Sequence, residues 1–350
     1  MPIRVLIVDD SAMMRSFLRE VLTDHPEIEV VGSAPDADTA RQQIKLTNPD
    51  VLTLDIEMPG IDGLTFLEHL MRLRPMPVVM VSSLTQHGAI ATLRSLELGA
   101  ADFVAKPILG SDTEWPKFSA EITQKVIAAA KSRAPAYYPP AADPLPPEGK
   151  LYSKIVAIGG STGSISVIQH IICSMPSDGP PTVVAVHMPP LFTKQLADRL
   201  DGISRMKVSE ATNGAALKTG QAYIAPGGSH LTIRKHGLGF SCALEAGPRV
   251  NGHVPSIDVF FESVALQAGP DAIGILLSGM GKDGAVGLKA MANEGAMTAT
   301  QDKESCVIYG MPAAAVALGA SGAELDALAL PQFIIDRSKN SAVARKNLVG

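Results

Sequence analysis

Cysteine is scarce in this sequence, and its spacing limits what the thiols can do. Among 350 residues there are three cysteines, Cys173, Cys242 and Cys306, and no two of them form a CxxC pair. An odd, scattered set of this kind is typical of small apolar core residues in a reducing compartment. We therefore expect the three side chains to be buried and to take no part in chemistry.

Long apolar runs and dense positive charge are missing as well. No segment approaches the roughly 18 apolar residues of a membrane span, and the N-terminus lacks the apolar stretch of a signal peptide. The formal net charge is −5, and no stripe of lysine and arginine offers a surface to nucleic acid. We expect a cytoplasmic protein that binds no nucleic acid and does not insert into a membrane.

Aromatic residues are few, at 4% of the chain, whereas hydrophobic residues reach 46% and charged residues 19%. A chain rich in aliphatic residues and poor in aromatic ones is typical of parallel sheets packed under helices of small residues. The length of 350 residues favours two domains over one.

Proline is concentrated in one segment, SRAPAYYPPAADPLPPEGK at positions 132–150. Proline has no backbone N–H and a fixed φ, so this segment cannot join a sheet or continue a helix. It predicts a linker between a first domain at 1–131 and a second at 151–338, followed by a flexible tail at 339–350. An ordered loop lying across one domain is the alternative, and a partly docked linker would be compatible with both.

Apolar runs alternate with amphipathic, helix-like segments such as Ala89–Leu98 in a βα pattern that predicts doubly wound parallel sheets in both domains. Predicted strands of the first domain are Ile3–Val8, Glu29–Gly32, Val51–Leu54, Val78–Val81 and Asp102–Val104. Those of the second are Ile155–Ile158, Thr182–Val186, Val208–Ala211, Ala222–Ala225, Ala272–Leu277 and Met297–Thr300, with Leu231–Lys235 and Gly239–Ala243 as a β-hairpin.

Acidic residues follow the predicted strands of the first domain. Asp9 and Asp10 come after the first strand and Asp55 after the third, while Ser82 and Lys106 follow the fourth and fifth. The carboxyl ends of parallel strands meet at one edge of a sheet, where ligands bind. Clustered carboxylates repel each other and call for a hard cation such as Mg²⁺. A lysine and a hydroxyl opposite them would hold a phosphoryl group carried by one carboxylate.

The segments around these residues resemble the receiver domain of bacterial response regulators, over about residues 1–125. The matching segments are VDDS (8–11), LDIEMPGIDG (54–63), MVSS (80–83) and DFVAKP (102–107). An aspartate at a strand end often only caps a turn, but the complete set in this order argues against that interpretation. The resemblance implies a flavodoxin-like sheet that is phosphorylated by a sensor histidine kinase.

The resemblance also implies a role for each matching residue. Asp55 would accept the phosphoryl group, and Phe103 occupies the position of the aromatic side chain that moves on activation. Ser82 and Lys106 would contact the phosphoryl group. The implied Mg²⁺ ligands are Asp9, Asp10, Asp55 and the carbonyl of Glu57.

A second motif, Gly-Gly-Ser-Thr-Gly at 159–163, follows the predicted strand Ile155–Ile158 and precedes a helix-like segment. G-x-S-x-G between a strand and a helix is the context of a nucleophilic serine, here Ser161. Two alternatives remain at this point. The turn could cradle a phosphate, although G-x-G-x-x-G is not satisfied, or Ser161 or Thr162 could only cap the helix.

A nucleophilic serine needs a base and a group that orients the base. His187 ends the predicted strand Thr182–Val186, next to the strand that leads to Ser161, and Asp283 lies in the glycine-rich segment SGMGKDG (278–284). Weaker candidates for the base are His230, His236 and His253. The order Ser, His, Asp differs from the Ser, Asp, His order of α/β-hydrolases, which argues against that family.

With a receiver in front, the second domain resembles the CheB family of chemotaxis protein-glutamate methylesterases, over about residues 153–337. The matching segments are AIGGSTG (157–163), VHMPPLFT (186–193), AYIAPGGSHL (222–231), RVNGHVPSID (249–258), LLSGMGKDGA (276–285) and SCVIYGMP (305–312). The resemblance implies a Rossmann-like serine esterase domain with Ser161 as nucleophile, His187 as base and Asp283 as orienting group. The backbone N–H of Met280 would bind the oxyanion.

The implied activity is hydrolysis of γ-glutamyl methyl esters on chemoreceptors, controlled by phosphorylation, with deamidation of receptor glutamines as a second activity. Mg²⁺ would serve the receiver only, and the esterase would need no cofactor. We expect a monomer. Two alternatives are a non-catalytic phospho-switch that only binds a partner, and an esterase of a signalling array outside chemotaxis. The intact Ser161, His187 and Asp283 set counts against the first alternative, and the second stays open.

Three positions depart from the patterns of these families. Ser164 stands where a second glycine usually follows STG, Val254 replaces the usual arginine, and Gly60 takes the place of a charged or bulky residue. None of them removes a predicted catalytic residue or the phosphate acceptor. We expect the first two to affect the shape and charge of the substrate pocket.

Overall fold

The computed structural model describes residues 1–83, 85–107, 114–132, 138, 145, 152–237 and 239–339, and the chain forms two compact units, Met1–Tyr137 and Tyr138–Gly350. Most of the predicted linker and tail lies outside the described residues, so the domain boundaries stay predictions. Two linker residues belong to the second unit. The Tyr138 hydroxyl donates to the Ser305 carbonyl (3.2 Å), and the Leu145 N–H donates to the Ser174 carbonyl (3.0 Å).

The first unit is a parallel sheet with helices between its strands. The strands are β1 (Ile3–Val8), β2 (Ile28–Ala34), β3 (Val51–Asp55), β4 (Val78–Ser82) and β5 (Asp102–Ala105), in the order β2-β1-β3-β4-β5. The helices are α1 (Ala12–Thr23), α2 (Ala37–Thr47), α3 (Gly63–Leu73), α4 (Gln86–Glu97) and α5 (Trp115–Lys131). This strand order is flavodoxin-like, and it places the topological switch point between β1 and β3.

Helix α4 begins earlier than the sequence predicts. The predicted start was Ala89, where the apolar residues begin, but the helix starts at Gln86. The reason is a side-chain cap, because the Thr85 hydroxyl accepts the Gly88 N–H (2.9 Å) and closes the first turn. The first turn of α4 is polar and lacks periodically spaced apolar residues, so its only sequence signal is the capping residue.

The second unit contains a parallel sheet of the strands β6 (Ile155–Gly160), β7 (Thr182–Val186), β8 (Lys207–Glu210), β9 (Gln221–Ile224), β12 (Ala272–Leu276), β13 (Met297–Gln301) and β14 (Glu324–Leu325). Their order is β14-β13-β12-β6-β7-β9-β8, so the switch point lies between β6 and β12. An antiparallel ribbon pairs β10 (His230–His236) with β11 (Gly239–Glu245). The helices are α6 (Ile165–Ser174), α7 (Pro190–Ile203), α8 (Ile257–Ala268), α9 (Ala285–Asn293), α10 (Met311–Ala317) and α11 (Leu330–Ser338).

These two doubly wound sheets and the ribbon confirm the predicted fold class. Predicted strand ends differ from the observed ones by two residues or fewer. The exception is β14, which was not predicted. This edge strand has two residues and therefore shows no alternation of apolar and polar positions.

Helix α8 fills the space between the sheet and the ribbon in the second unit. It packs against β6, β10 and α9. Phe260 and Phe261 on this helix are fully buried. The ring of Phe261 lies so close to β6 that a β-carbon added at Gly159 would come within 3.0 Å of it. Small residues at the end of β6 thus allow α8 to approach the strand that leads to Ser161.

Across the described residues, no helix combines the length and the apolar character that crossing a membrane requires.

Replacing Phe261 tests the contribution of α8 to the second unit. We expect Phe261→Ala to lower the free energy of unfolding of this unit by about 3–5 kcal/mol, because it removes a fully buried ring and leaves a cavity. Leu266→Ala on the same helix is the control, since that side chain is 80% exposed and its loss should cost less than about 0.5 kcal/mol. Urea denaturation followed by fluorescence or circular dichroism measures both. Equal effects of the two substitutions would contradict this description of the core.

Candidate active site and acidic pocket

Three predicted catalytic residues meet at the carboxyl edge of the second sheet. Ser161 directly follows β6, and His187 directly follows the neighbouring strand β7. Asp283 lies in the loop after β12, the neighbour of β6 on the other side. The site therefore spans the topological switch point, where doubly wound sheets leave a crevice for ligands.

The turn that carries Ser161 is held by hydrogen bonds on both sides. The Ser161 carbonyl accepts the N–H (3.0 Å) and the hydroxyl (2.7 Å) of Ser164, and the Ser161 N–H donates to the Ser278 carbonyl (3.0 Å). Gly163 has a φ of 78°, and a β-carbon there would meet Val307, so only glycine fits the turn. Ser164 is fully buried in this turn, and its hydroxyl therefore braces the turn instead of lining a pocket.

His187 joins the serine to the aspartate. Its Nδ1 is 3.2 Å from the Ser161 Oγ, and its Nε2 is 2.8 Å from the Asp283 Oδ2. An ionised carboxylate only accepts hydrogen bonds, so the neutral ring carries its proton on Nε2 and offers Nδ1 to the serine hydroxyl. The ring nitrogens are used in the opposite sense to the trypsin-like triad, in which Nε2 faces the serine.

Asp283 is buried and surrounded by hydrogen-bond donors. Besides His187 Nε2, the donors to its carboxylate are Asn251 Nδ2 (2.9 Å), Ser256 Oγ (2.8 Å), Ile257 N–H (2.7 Å) and Asp258 N–H (3.3 Å). Burial alone would raise the pKa of Asp283, but the hydrogen bonds from His187, Asn251 and Ile257 outweigh it and hold the pKa well below its usual range. The Asp283 carboxylate is therefore ionised at any pH at which it has to orient His187.

Asn251 and Ser256 were missed by the sequence analysis. Both lie in the matched segment RVNGHVPSID, directly before α8. Ser256 had a recognisable signal, because its hydroxyl caps α8 by accepting the Val259 N–H (3.4 Å). Asn251 had no such local signal, since its partners are Asp283 and Asp258 in distant or separate elements.

In the described part of the chain, no hydrogen bond joins His230 or His236 to Ser161. His236 is exposed at the end of β10. His230 is buried and bonds to the Pro248 carbonyl and the Ser256 N–H. The ring of His253 stacks on that of His187, with centroids 3.6 Å apart and planes 1° apart. Of the four histidines considered, only His187 contacts both Ser161 and Asp283.

Met280, the predicted oxyanion donor, lies in the loop after β12 that approaches Ser161. The preceding Gly279 approaches so closely that a β-carbon there would stand 2.8 Å from the Ser161 β-carbon. Among the described residues, the Met280 N–H has no hydrogen-bond acceptor. The Ser161 N–H, in contrast, donates a hydrogen bond to the Ser278 carbonyl. The free N–H next to Ser161 is therefore on the β12 side of the crevice.

All three cysteines are buried. Burial raises the pKa of Cys242 to about 12 and raises that of Cys306 further. A thiol with such a pKa is not a nucleophile at neutral pH.

The acidic pocket of the first unit lies at the switch point between β1 and β3. Ligand oxygens of Asp9, Asp10 and Asp55 all lie within 4.8 Å of one another. The Lys106 Nζ is 2.7 Å from the Asp55 Oδ2 and 3.1 Å from the Asp9 Oδ2. Burial raises the pKa of Asp55 to about 6, although Lys106 opposes this shift. Three clustered carboxylates with hard oxygen donors fit Mg²⁺.

Three further residues were predicted to serve this pocket, namely Glu57, Ser82 and Phe103. The Glu57 N–H donates to the Asp55 Oδ1 (3.3 Å), which places the Glu57 backbone beside the acceptor carboxylate. The Ser82 hydroxyl donates to the Gly88 carbonyl (3.2 Å), and within the described residues no hydrogen bond joins it to Asp55. Phe103 is buried, and the Lys125 Nζ lies 5.1 Å from the centroid of its ring.

Comparisons with known proteins identify relatives of both units. A family model described as CheB methylesterase matches residues 156–334, and one described as response regulator receiver domain matches residues 5–113. A Chromohalobacter salexigens protein named protein-glutamate methylesterase/protein-glutamine glutaminase is 48% identical, and the match covers 98% of each chain. A Salmonella typhimurium protein of the same name is 49% identical over 91% of each chain.

A solved structure is similar to the second unit. It is the CheB methylesterase catalytic domain of Thermotoga maritima, with 36% sequence identity and a TM-score of 0.52. The match covers 53% of this chain and 99% of that domain.

Gly279→Ala tests the close approach of the β12 loop to the serine. We expect kcat/KM for an ester to fall by about 10²-fold, because the new methyl group would stand 2.2 Å from the Met311 sulfur and 2.8 Å from the Ser161 β-carbon, so the loop has to shift. Gly202→Ala on α7 is the control, since a β-carbon there meets nothing within 4 Å, and its activity should be unchanged. Steady-state kinetics on a small ester measures both. Full activity of Gly279→Ala would show that the two residues are not in contact.

Proposed function

This chain belongs to the CheB methylesterase family, and we propose that it hydrolyses γ-glutamyl methyl esters on chemoreceptors and deamidates specific receptor glutamines, with its receiver domain controlling both. The relatives with this combination of domains are named protein-glutamate methylesterase/protein-glutamine glutaminase. The observation that carries the proposal is the hydrogen-bonded series of Ser161, His187 and Asp283 at the switch point. A non-catalytic binding module is not favoured, because it would need no such series.

The first half of the reaction forms an acyl-enzyme. The Ser161 Oγ attacks the ester carbonyl carbon, and its proton moves to the His187 Nδ1, 3.2 Å away. Asp283, ionised and bonded to Nε2–H, stabilises the resulting imidazolium. The carbonyl oxygen, now an oxyanion, is held by the Met280 N–H. The bond to the methoxy oxygen then breaks, and methanol leaves with the proton from Nδ1.

The second half regenerates the enzyme. A water molecule attacks the acyl carbon and gives its proton to the His187 Nδ1. The bond to the Ser161 Oγ breaks, the serine recovers the proton, and a glutamate side chain is released. With glutamine as substrate the same tetrahedral intermediate forms, and ammonia leaves in place of methanol. One set of residues therefore supports both activities.

The receiver residues would supply the control. We assign Asp55 as the acceptor of a phosphoryl group from a sensor histidine kinase, with Ser82 and Lys106 contacting that group. Asp9, Asp10, Asp55 and the Glu57 carbonyl would hold Mg²⁺, which, when bound, neutralises charge on the carboxylates and the phosphoryl oxygens. Phe103 would repack in response. The protein would act as a cytoplasmic monomer.

Replacing the nucleophile tests the esterase. We expect Ser161→Ala to lower methanol release from methylated receptor by about 10⁴–10⁶-fold while the fold persists, because no other group can form the acyl-enzyme. Ser177→Ala is the matched control, since Ser177 is exposed in a turn after α6 and should keep full activity. Methanol is measured by gas chromatography and folding by circular dichroism. More than a tenth of the wild-type rate in Ser161→Ala would rule out the assigned nucleophile.

Removing the receiver tests the control. We expect a fragment comprising residues 138–350 to release methanol faster than the unphosphorylated full chain, because the linker keeps the restraining receiver at a high effective concentration. A small phosphodonor such as acetyl phosphate should stimulate the full chain, and Asp55→Asn should abolish this stimulation. Asp62→Asn, which alters an exposed cap of α3, is the control and should respond like the wild type. A fragment no faster than the full chain would mean that the receiver activates instead of restraining.

A further inference from the structure

We propose that His230 is a positioning residue for the esterase reaction, and that it acts through the segment Pro248–Ser256, which it holds against His187 and Asp283. The proposal rests on the esterase function of this site. It assigns a role in catalysis to a histidine that touches neither the nucleophile nor the proposed oxyanion donor.

His230 joins the two ends of this segment. Its Nδ1 accepts the Ser256 N–H (3.1 Å), and its Nε2 lies 2.9 Å from the Pro248 carbonyl. A backbone N–H can only donate and a carbonyl can only accept, so the ring is neutral with its proton on Nε2. Only 5% of its surface is exposed, and Gly247 packs so tightly on the ring that a β-carbon would lie 3.2 Å from Cδ2. Both ring nitrogens therefore form hydrogen bonds to backbone atoms of the segment.

The segment itself is a closed turn. Val250 and His253 exchange backbone hydrogen bonds of 3.1 and 2.9 Å, and the Arg249 side chain donates to the Gly252 carbonyl (2.9 Å). Asn251 has a φ of 52°, a left-handed conformation that asparagine tolerates better than most residues. With its ends fixed by His230 and its tip closed, the segment can move only as one body.

This segment contacts both His187, which takes the proton, and Asp283, which orients His187. Asn251 and Ser256 donate to the Asp283 Oδ1 at 2.9 and 2.8 Å. The His253 ring lies flat on the His187 ring at 3.6 Å. A shift of the segment would therefore turn the carboxylate and the imidazole together. Displacement by an ångström at a reacting group can cost about 10²-fold in rate.

A buried histidine with two hydrogen bonds can also serve stability alone. The two roles predict different kinetics. A purely structural residue lowers the melting temperature and leaves the folded fraction fully active. A positioning residue lowers kcat of the folded protein with little change in KM, because substrate binding does not use the segment's contacts with His187 and Asp283.

Three variants of the full chain separate these roles. We expect His230→Ala to lower kcat about 10–100-fold. His230→Asn retains an acceptor near the Nδ1 position and should restore most of the loss. His230→Gln retains a donor near the Nε2 position and should restore less, because Ser256 is the end of the segment that bonds directly to Asp283. His236→Ala, at an exposed position of the same ribbon, is the control and should match the wild type.

A double-mutant cycle with His253 tests the route of the effect. If His230 acts through the segment, the kcat loss of the double variant His230→Ala/His253→Ala should be smaller than the product of the single losses. His253→Phe should keep more activity than His253→Ala, since it retains a flat ring against His187. Multiplicative losses in the cycle, or an unchanged kcat in folded His230→Ala, would overturn the proposal.

Two assays distinguish a failure of this proposal from a failure of the proposed substrate. The rate of covalent labelling of Ser161 by a fluorophosphonate reports how well the serine is activated, and methanol release reports turnover of methylated receptor. We expect the same ranking of variants in both assays. Normal labelling of wild type without methanol release would reject the methylesterase function and leave the positioning role supported. Wild-type labelling rates in His230→Ala would reject the positioning role alone.

Discussion

The second unit depends on the buried carboxylate of Asp283. Its oxygens accept hydrogen bonds from His187, from the start of α8 and from the segment before α8. These three parts of the chain come from a strand end, a helix end and a turn, and Asp283 joins them. A carboxylate buried without donors would be strongly destabilising, so its donors are as necessary to the fold as the carboxylate is to the imidazole.

The two candidate sites use the same place in a sheet with opposite electrostatics. In the first unit, acidic side chains crowd together, and burial raises the pKa of Asp55 to about 6. That arrangement gathers negative charge that a cation can balance. In the second unit the Asp283 carboxylate is surrounded by hydrogen-bond donors, and its pKa lies below the usual range although the buried Asp258 carboxylate is near. Asp283 therefore stays negatively charged while the neighbouring His187 gains and loses a proton in the proposed reaction. The doubly wound sheet provides the crevice, and the side chains at strand ends decide its chemistry.

Much of this could be predicted from the sequence, for a physical reason. Strands in parallel sheets are apolar on both faces, and functional residues follow them directly, so Ser161, His187, Asp9 and Asp55 stand beside strong local signals. No such signal predicts the contacts of Asn251 and His230. These contacts join a loop to distant elements, and the sequence spacing of the partners follows no regular pattern. From its position in the sequence, His230 is a weaker candidate for the base, whereas in the structure both of its ring nitrogens bond to backbone atoms. The sequence also predicts that Ser164 shapes the substrate pocket, whereas Ser164 is sealed inside the catalytic turn.

The hydrogen bond from the Ser161 N–H to the Ser278 carbonyl has a mechanical consequence. The attacking oxygen belongs to the end of β6, and the free N–H of Met280 belongs to the loop after β12. In trypsin-like enzymes the nucleophile's own N–H helps bind the oxyanion, so attack and charge stabilisation share one peptide. In the proposed mechanism they belong to the adjacent strands β6 and β12, which are paired along their length and which this bond joins at their carboxyl ends. If Met280 is the oxyanion donor, as proposed, a sliding of β6 against β12 would change both the position of the attacking Ser161 oxygen and the position of the N–H that stabilises the oxyanion.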